Sequence, residues 1–166
     1  MANPAQETVI YPFTAFNFEV EITVPDLLPK VCNAAFSECD GLEMTLEAKT
    51  IREGGNNGVQ IRLTGPRAHG QLTLKRGMTD SLDLWDWFDA VLLNPGLRAD
   101  ADVFVLAPQR NADGSRIERA RFALKRCLPV KLKAPALNAK DGLVAIEELQ
   151  LAYESLARER PPEGRR

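Results

Sequence analysis

At 166 residues and 18.4 kDa, with 45% hydrophobic and 27% charged side chains, the chain can build one domain with a buried core and is short for two. No apolar run approaches the roughly 18 residues that a membrane-spanning helix needs. The net charge of -2 argues against nucleic-acid binding through overall charge.

The opening Met1-Ala2-Asn3-Pro4-Ala5-Gln6-Glu7 lacks the basic start and apolar stretch of a signal peptide, so the expectation is assembly in the cytoplasm. Residues 1–12 read as an N-terminal arm. From Phe16 the chain alternates: Phe16, Phe18, Val20, Ile22 and Val24 on one face, and Asn17, Glu19, Glu21 and Thr23 on the other. This is the pattern of a half-buried strand, which Pro25 and Pro29 then break. After Asp40-Gly41, Leu42, Met44 and Leu46 alternate with Glu43, Thr45 and Glu47.

Thr50-Ile51-Arg52-Glu53-Gly54-Gly55-Asn56-Asn57-Gly58 cannot hold a packed core, and its glycines and asparagines suit a flexible or positive-φ tip. Strand pattern resumes with Val59, Ile61 and Leu63, which predicts a long protruding hairpin over Leu42–Leu63. Leu72 and Leu74, ahead of Gly77, mark a further strand.

One helix is predicted over Leu82–Asn94. Thr79-Asp80-Ser81 offers capping oxygens and Asn94-Pro95-Gly96 stops it. Leu84, Trp85, Phe88, Val91 and Leu92 fall within about 120° of arc and are the expected buried face. Asp83, Asp86 and Asp89 lie on the other side, and Trp87 at the margin.

Asp102–Leu106 reads as a short apolar strand and Asn111-Ala112-Asp113-Gly114 as a hairpin turn. Ala120, Phe122 and Leu124 then alternate with Arg119, Arg121 and Lys125. Beyond Asp141-Gly142, Val144 and Ile146 share one parity while Leu149, Leu151 and Tyr153 share the other. A helix would fit Ile146, Leu149 and Tyr153, but the β-branched start favours a strand with a bulge near Glu147-Glu148. Residues 157–166, rich in arginine and proline, read as a disordered tail. The sum is a mainly β fold: a β-barrel of two packed antiparallel sheets over residues 13–156, with one flanking helix and a long protruding hairpin.

Chemistry is sparse. No GxSxG, GxxxxGK[ST], HExxH or GxGxxG motif occurs, and no helix pattern follows Gly54-Gly55-Asn56-Asn57-Gly58 to present an N-terminus to a phosphate. His69, the only histidine, precedes Gly70 and reads as a turn residue. Cys32, Cys39 and Cys127 form no CxxC pair and read as small, partly buried side chains. The expectation is a protein that is not an enzyme and holds no metal or cofactor.

Charge is uneven: residues 1–83 carry 7 basic and 11 acidic side chains, and residues 84–166 carry 14 and 12. Eight basic residues lie between Arg110 and Lys133 against Asp113 and Glu118. They form either a solvated strand face or one half of a self-complementary contact with the acidic Glu38–Glu53 region.

Seven stretches, in order and at matching spacing, resemble the tail tube proteins of contractile phage tails and of extracellular contractile injection systems. They are Phe16-Asn17-Phe18-Glu19-Val20-Glu21-Ile22, Phe36-Ser37-Glu38-Cys39-Asp40-Gly41-Leu42-Glu43, Arg52-Glu53-Gly54-Gly55-Asn56, Leu72-Thr73-Leu74-Lys75-Arg76-Gly77, Leu84-Trp85-Asp86-Trp87-Phe88, Pro129-Val130-Lys131 and Val144-Ala145-Ile146-Glu147. The resemblance covers roughly Phe13 to Leu156. It implies a subunit that forms hexameric rings, stacked into a rigid hollow tube inside a contractile sheath and driven through a target envelope on contraction. It further implies baseplate or spike and tail-terminator partners, a lumen that could carry cargo, and no membrane partner.

On this reading Thr50–Gly58 is an inter-subunit loop, and Asp83, Asp86 and Asp89 form a stripe facing the sheath. The competing classes are a monomeric small-ligand-binding β-barrel and an effector-carrying secretion-system ring protein.

Overall fold

The computed structural model describes residues 14–25, 28–51, 60–140 and 142–160. In chain order the elements are β1 (Phe18–Val24), β2 (Leu28–Ala34), β3 (Glu38–Asp40), β4 (Met44–Ile51), β5 (Ile61–His69), β6 (Gln71–Gly77), α1 (Asp83–Leu93), β7 (Ala99–Arg110), β8 (Arg116–Lys133), β9 (Ile146–Ala152) and β10 (Ser155–Glu159). The expected mainly β class, single flanking helix and protruding hairpin are all present. The N-terminal arm, Arg52–Gly58 of the tip and residues 161–166 of the tail lie outside the described residues.

The main sheet runs β2-β1-β7-β8-β9-β6-β3, with β10 on the other side of β8, all neighbours antiparallel. It curls strongly because β8 belongs to both halves. Its first part pairs with β7 and β10, and its last part with β9. The change of direction falls at Arg126, whose φ of 55° is rare for a residue with a side chain. The extra residue of this bulge is held by Asp100, whose Oδ1 accepts from the Arg126 amide at 3.1 Å.

Inside the curl lie Val20, Ile22, Val24, Leu72, Leu74, Leu124, Cys127, Leu149, Leu151 and Tyr153, each buried, with Leu84 and Trp87 of α1 closing one side. Each such aliphatic side chain contributes about 1.5–3 kcal/mol.

Five expectations need correction. A strand, β2, follows Pro25 and contains Pro29; it is at the edge of the sheet, where a missing N–H leaves no central ladder bond unmade. The hairpin is longer than Leu42–Leu63, because its second arm continues to His69. Between the pairs Leu46↔Arg67 and Ala48↔Thr64, two residues of β5, Gly65 and Pro66, oppose Glu47 alone, and this bulge disrupts the alternation.

The strand β9 has no bulge: its register with β6 is unbroken from Gln71↔Ala152 to Gly77↔Ile146. The parity that looked broken belongs to Glu147, which faces the core with Leu149 and Leu151, while Ile146 faces outward. The chain also stays ordered past Leu156, since Ala157, Arg158 and Glu159 pair with Ala123, Phe122 and Arg121.

The helix is the fifth correction. Leu82 is its N-cap, without a side-chain capping bond. The first-turn amide of Leu84 is satisfied by the Asp83 carboxylate at 2.8 Å instead. Trp87, not Trp85, enters the core, and Leu92 is 68% exposed. The cause is an ion pair from Asp83 to Arg76, which turns the side of the helix bearing Asp83, Leu84, Trp87 and Val91 inward.

Candidate assembly surface

The hairpin β4–β5 forms a separate two-stranded sheet, and nearly all of its residues are exposed on both faces. Two strands alone bury too little to be stable in water, so its order depends on its root and on whatever covers its faces.

The root is built by the main domain. The Tyr153 hydroxyl donates towards the carbonyls of Gly41 and Glu43, both at 2.9 Å, and accepts from the Glu43 amide at 3.1 Å. Gly41 has a φ of 94°, and a Cβ there would run into the Gln71 carbonyl, so only glycine lets the chain pass so close to β6. The Gly70 amide donates to the Glu43 carbonyl at 3.3 Å, closing the other side of the root. His69 is the last residue of β5 rather than a turn residue. Its ring packs against Tyr153 at 5.4 Å, and its buried Nε2 has no hydrogen-bond partner among the described residues.

Cross-strand partners share a face. Met44↔His69, Leu46↔Arg67, Ala48↔Thr64 and Thr50↔Arg62 therefore lie on one side of the hairpin. Thr45↔Ala68, Lys49↔Leu63 and Ile51↔Ile61 lie on the other. Met44, Leu46, Ile51, Ile61 and Leu63 are all exposed apolar side chains. Of the expected inter-subunit loop, Thr50 and Ile51 belong to β4, and Arg52–Gly58 fall outside the described residues.

The acidic stripe of the helix divides. Asp83 is bound to the buried Arg76 through Nη2–Oδ1 at 2.6 Å and Nη1–Oδ2 at 3.1 Å, so it is a structural ligand of the guanidinium. Asp86 and Asp89 remain exposed, beside Trp85, Leu92 and Leu93. Sequence periodicity alone places Trp85 and Leu92 in the core, and so misses an apolar outer face on α1. A hint lay in the six apolar residues among the last seven of the helix, more than one buried stripe can use.

The basic run is largely engaged within its own chain. Arg116 pairs with Glu19 at 3.0 Å, Arg121 with Glu118 at 3.2 Å, Lys125 with Asp100 at 2.9 Å, Arg126 with Glu154 at 2.7 Å and Lys131 with Glu148 at 3.6 Å. These pairs leave less free positive charge for a contact with Glu38–Glu53, and Glu38 is itself bound to Lys75 at 2.9 Å.

Burial pushes the thiols of Cys39 and Cys127 up to about 12, far from a reactive thiolate. Cys32 lies in β2, whose side chains are outside the described residues. Among the described residues no three His, Cys, Asp or Glu side chains gather as metal ligands. What the surface offers is apolar area and charge without ion-pair partners among the described residues, the makings of a protein–protein contact.

The sequence matches the T4-like virus tail tube protein gp19 family over residues 14–157. No curated protein matches it. Among solved structures, it resembles a chain in the cryo-EM structure of the anti-feeding prophage baseplate, at 26% identity and a TM-score of 0.79, covering 92% of this chain and 98% of that one. A chain in the sheath–tube complex of the PVC extracellular contractile injection system, in its extended state, is similar at 21% identity and a TM-score of 0.74, covering 97% and 100%. Hcp1 from Flavobacterium johnsoniae shares the fold more distantly, at 15% identity and a TM-score of 0.51, covering 86% and 96%.

Proposed function

We propose, from the premise that the chain belongs to the T4-like virus tail tube protein gp19 family, that this structural tube subunit closes into six-membered rings. The rings stack into the hollow inner tube of a contractile, phage tail-like particle. The observation that carries this reading is the exposed hairpin β4–β5. It is a pair of strands with apolar side chains on both faces and no cover from the described residues of its own domain, as expected of an element whose cover comes from another copy. The curled sheet, closed by α1 and cross-braced by internal ion pairs, supplies the rigidity that a tube pushed through an envelope requires.

The tip around Gly54–Asn57 reaches a neighbouring copy. A sheath surrounds the tube, and baseplate and terminator proteins bind its two ends. Chains similar to this one come from structures of a baseplate, a sheath–tube complex and a tube-terminating cap, which supports this reading. The particle is assembled in the cytoplasm and acts outside it.

Negative-stain microscopy of the purified chain, with its mass in solution, tests the reading. Rings or tubes, and a mass of six chains or multiples of six, are expected. A single-chain mass with no rings at any concentration overturns the proposal in favour of a monomeric barrel.

A further inference from the structure

The two faces of the hairpin differ in charge. The face carrying Met44, Leu46, Arg62 and Arg67 has two arginines, no carboxylate and two exposed apolar side chains. Neither arginine is ion-paired among the described residues. The outer face of α1 is its counterpart in sign and kind: Asp86 and Asp89 have no ion-pair partner among the described residues and lie beside the exposed Leu92 and Leu93, with no cation in the helix. Two positive charges with two apolar residues thus match two negative charges with two apolar residues, and both surfaces are exposed in the single chain.

We propose that the Met44/Leu46/Arg62/Arg67 face of the hairpin in one copy docks on the outer face of α1 in the next. This rests on the reading of the chain as a self-assembling tube subunit and names the surfaces that join its copies. Because the two surfaces are different patches of one molecule, the contact is head-to-tail and propagates from copy to copy, closing into a ring or continuing along a stack. Arginine over carboxylate sets the register, and burial of the leucines and the methionine supplies cover for a hairpin that cannot cover itself. The occupant of the α1 face is then a second copy rather than the sheath. The Asp86–Asp89 pair serves tube cohesion.

Charge reversal in complementary pairs tests it. A chain with Arg62→Glu and Arg67→Glu has two acidic surfaces, and one with Asp86→Arg and Asp89→Arg has two basic ones. Each alone should stay unassembled at concentrations where the parent chain forms rings, and the equimolar mixture should assemble with the two chains alternating. Leu46→Cys and Leu92→Cys single variants, co-assembled and oxidised, should give a disulfide-linked dimer absent from either alone.

Rings from either charge-reversed chain alone overturn the proposal, as does a mixture that stays unassembled or co-assembled cysteine variants that give no dimer. Charge-reversed chains that still form tubes but lose a bound sheath would assign Asp86 and Asp89 to the sheath instead. Failure of the parent chain to form rings overturns the tube reading itself and is seen separately, before any variant is made.

Discussion

Arg76 and Glu147 stand directly opposite each other across β6 and β9, each 3% exposed, and form an ion pair in the interior. Asp83 reaches the same guanidinium from the first turn of α1, so one arginine ties two strands and the helix together. Removing Glu147 leaves the buried guanidinium with only the more exposed Asp83 beside it, at a cost approaching that of a broken buried pair, about 3–5 kcal/mol. Glu147→Ala should therefore lower the urea midpoint strongly. Asp83→Asn, at the more solvated edge of the group, should lower it less, by about 1–2 kcal/mol. Replacing all three with apolar residues should be milder than Glu147→Ala. Equal unfolding midpoints for Glu147→Ala and the parent would show that the pair does not hold the fold.

Tyr153→Phe removes the hydroxyl that bridges Gly41 and Glu43 at the hairpin root. The Glu43 amide keeps a second acceptor in the Gly41 carbonyl at 3.0 Å, so the loss in global stability should be small, about 1 kcal/mol. The local effect should be larger. Amides of β4 and β5 should exchange faster and limited proteolysis should cut the hairpin first, while β7 and β8 keep their protection. Unchanged exchange in β4 and β5 would mean the root is held by other contacts.

Deleting Gly54–Asn57 shortens the tip without touching the paired residues of β4 or β5. The expected result is a chain with unchanged thermal unfolding that no longer forms tubes, read by microscopy and sedimentation. Normal tubes from the deleted chain would exclude the tip from the contact.

Asp102 lies directly opposite Glu21 across β7 and β1. Partial burial raises its pKa above the usual 3.8, with help from Glu159 and Glu21 and against the pull of Arg121 and Lys125. A carboxyl with a raised folded pKa binds its proton more tightly in the native state. Its contribution is present at low pH and is lost as pH rises from 3.8 through the folded value. Asp102→Asn should thus be more stable than the parent at neutral pH. The gap should close near pH 3, where the parent carboxyl is protonated in both states. Urea midpoints from about pH 3 to pH 8 check this, and a variant less stable than the parent at neutral pH contradicts it.

Local pattern reaches far into this chain. The alternation of Val20, Ile22 and Val24, the Asn111–Gly114 turn, the limits of α1 and the two arms around a glycine-rich tip are all legible. Each depends on neighbours within a few residues, where backbone sterics and side-chain periodicity act directly. The ordered motifs that resemble tail tube proteins carry the family for the same reason: they record which residues recur along the chain.

Tertiary structure alone decided the rest. Glu147 reads as a surface residue until Arg76, 71 positions away, is placed opposite it; its burial is what made β9 look bulged. Trp87 displaces Trp85 from the core because Asp83 is clamped to that same arginine. The basic run loses most of its free charge to carboxylates on β1, β7 and β9 and beside β10. A periodic pattern assigns a charge to the solvent side by default. Only long-range pairing, which satisfies that charge in the interior or cancels it at the surface, can overrule the default.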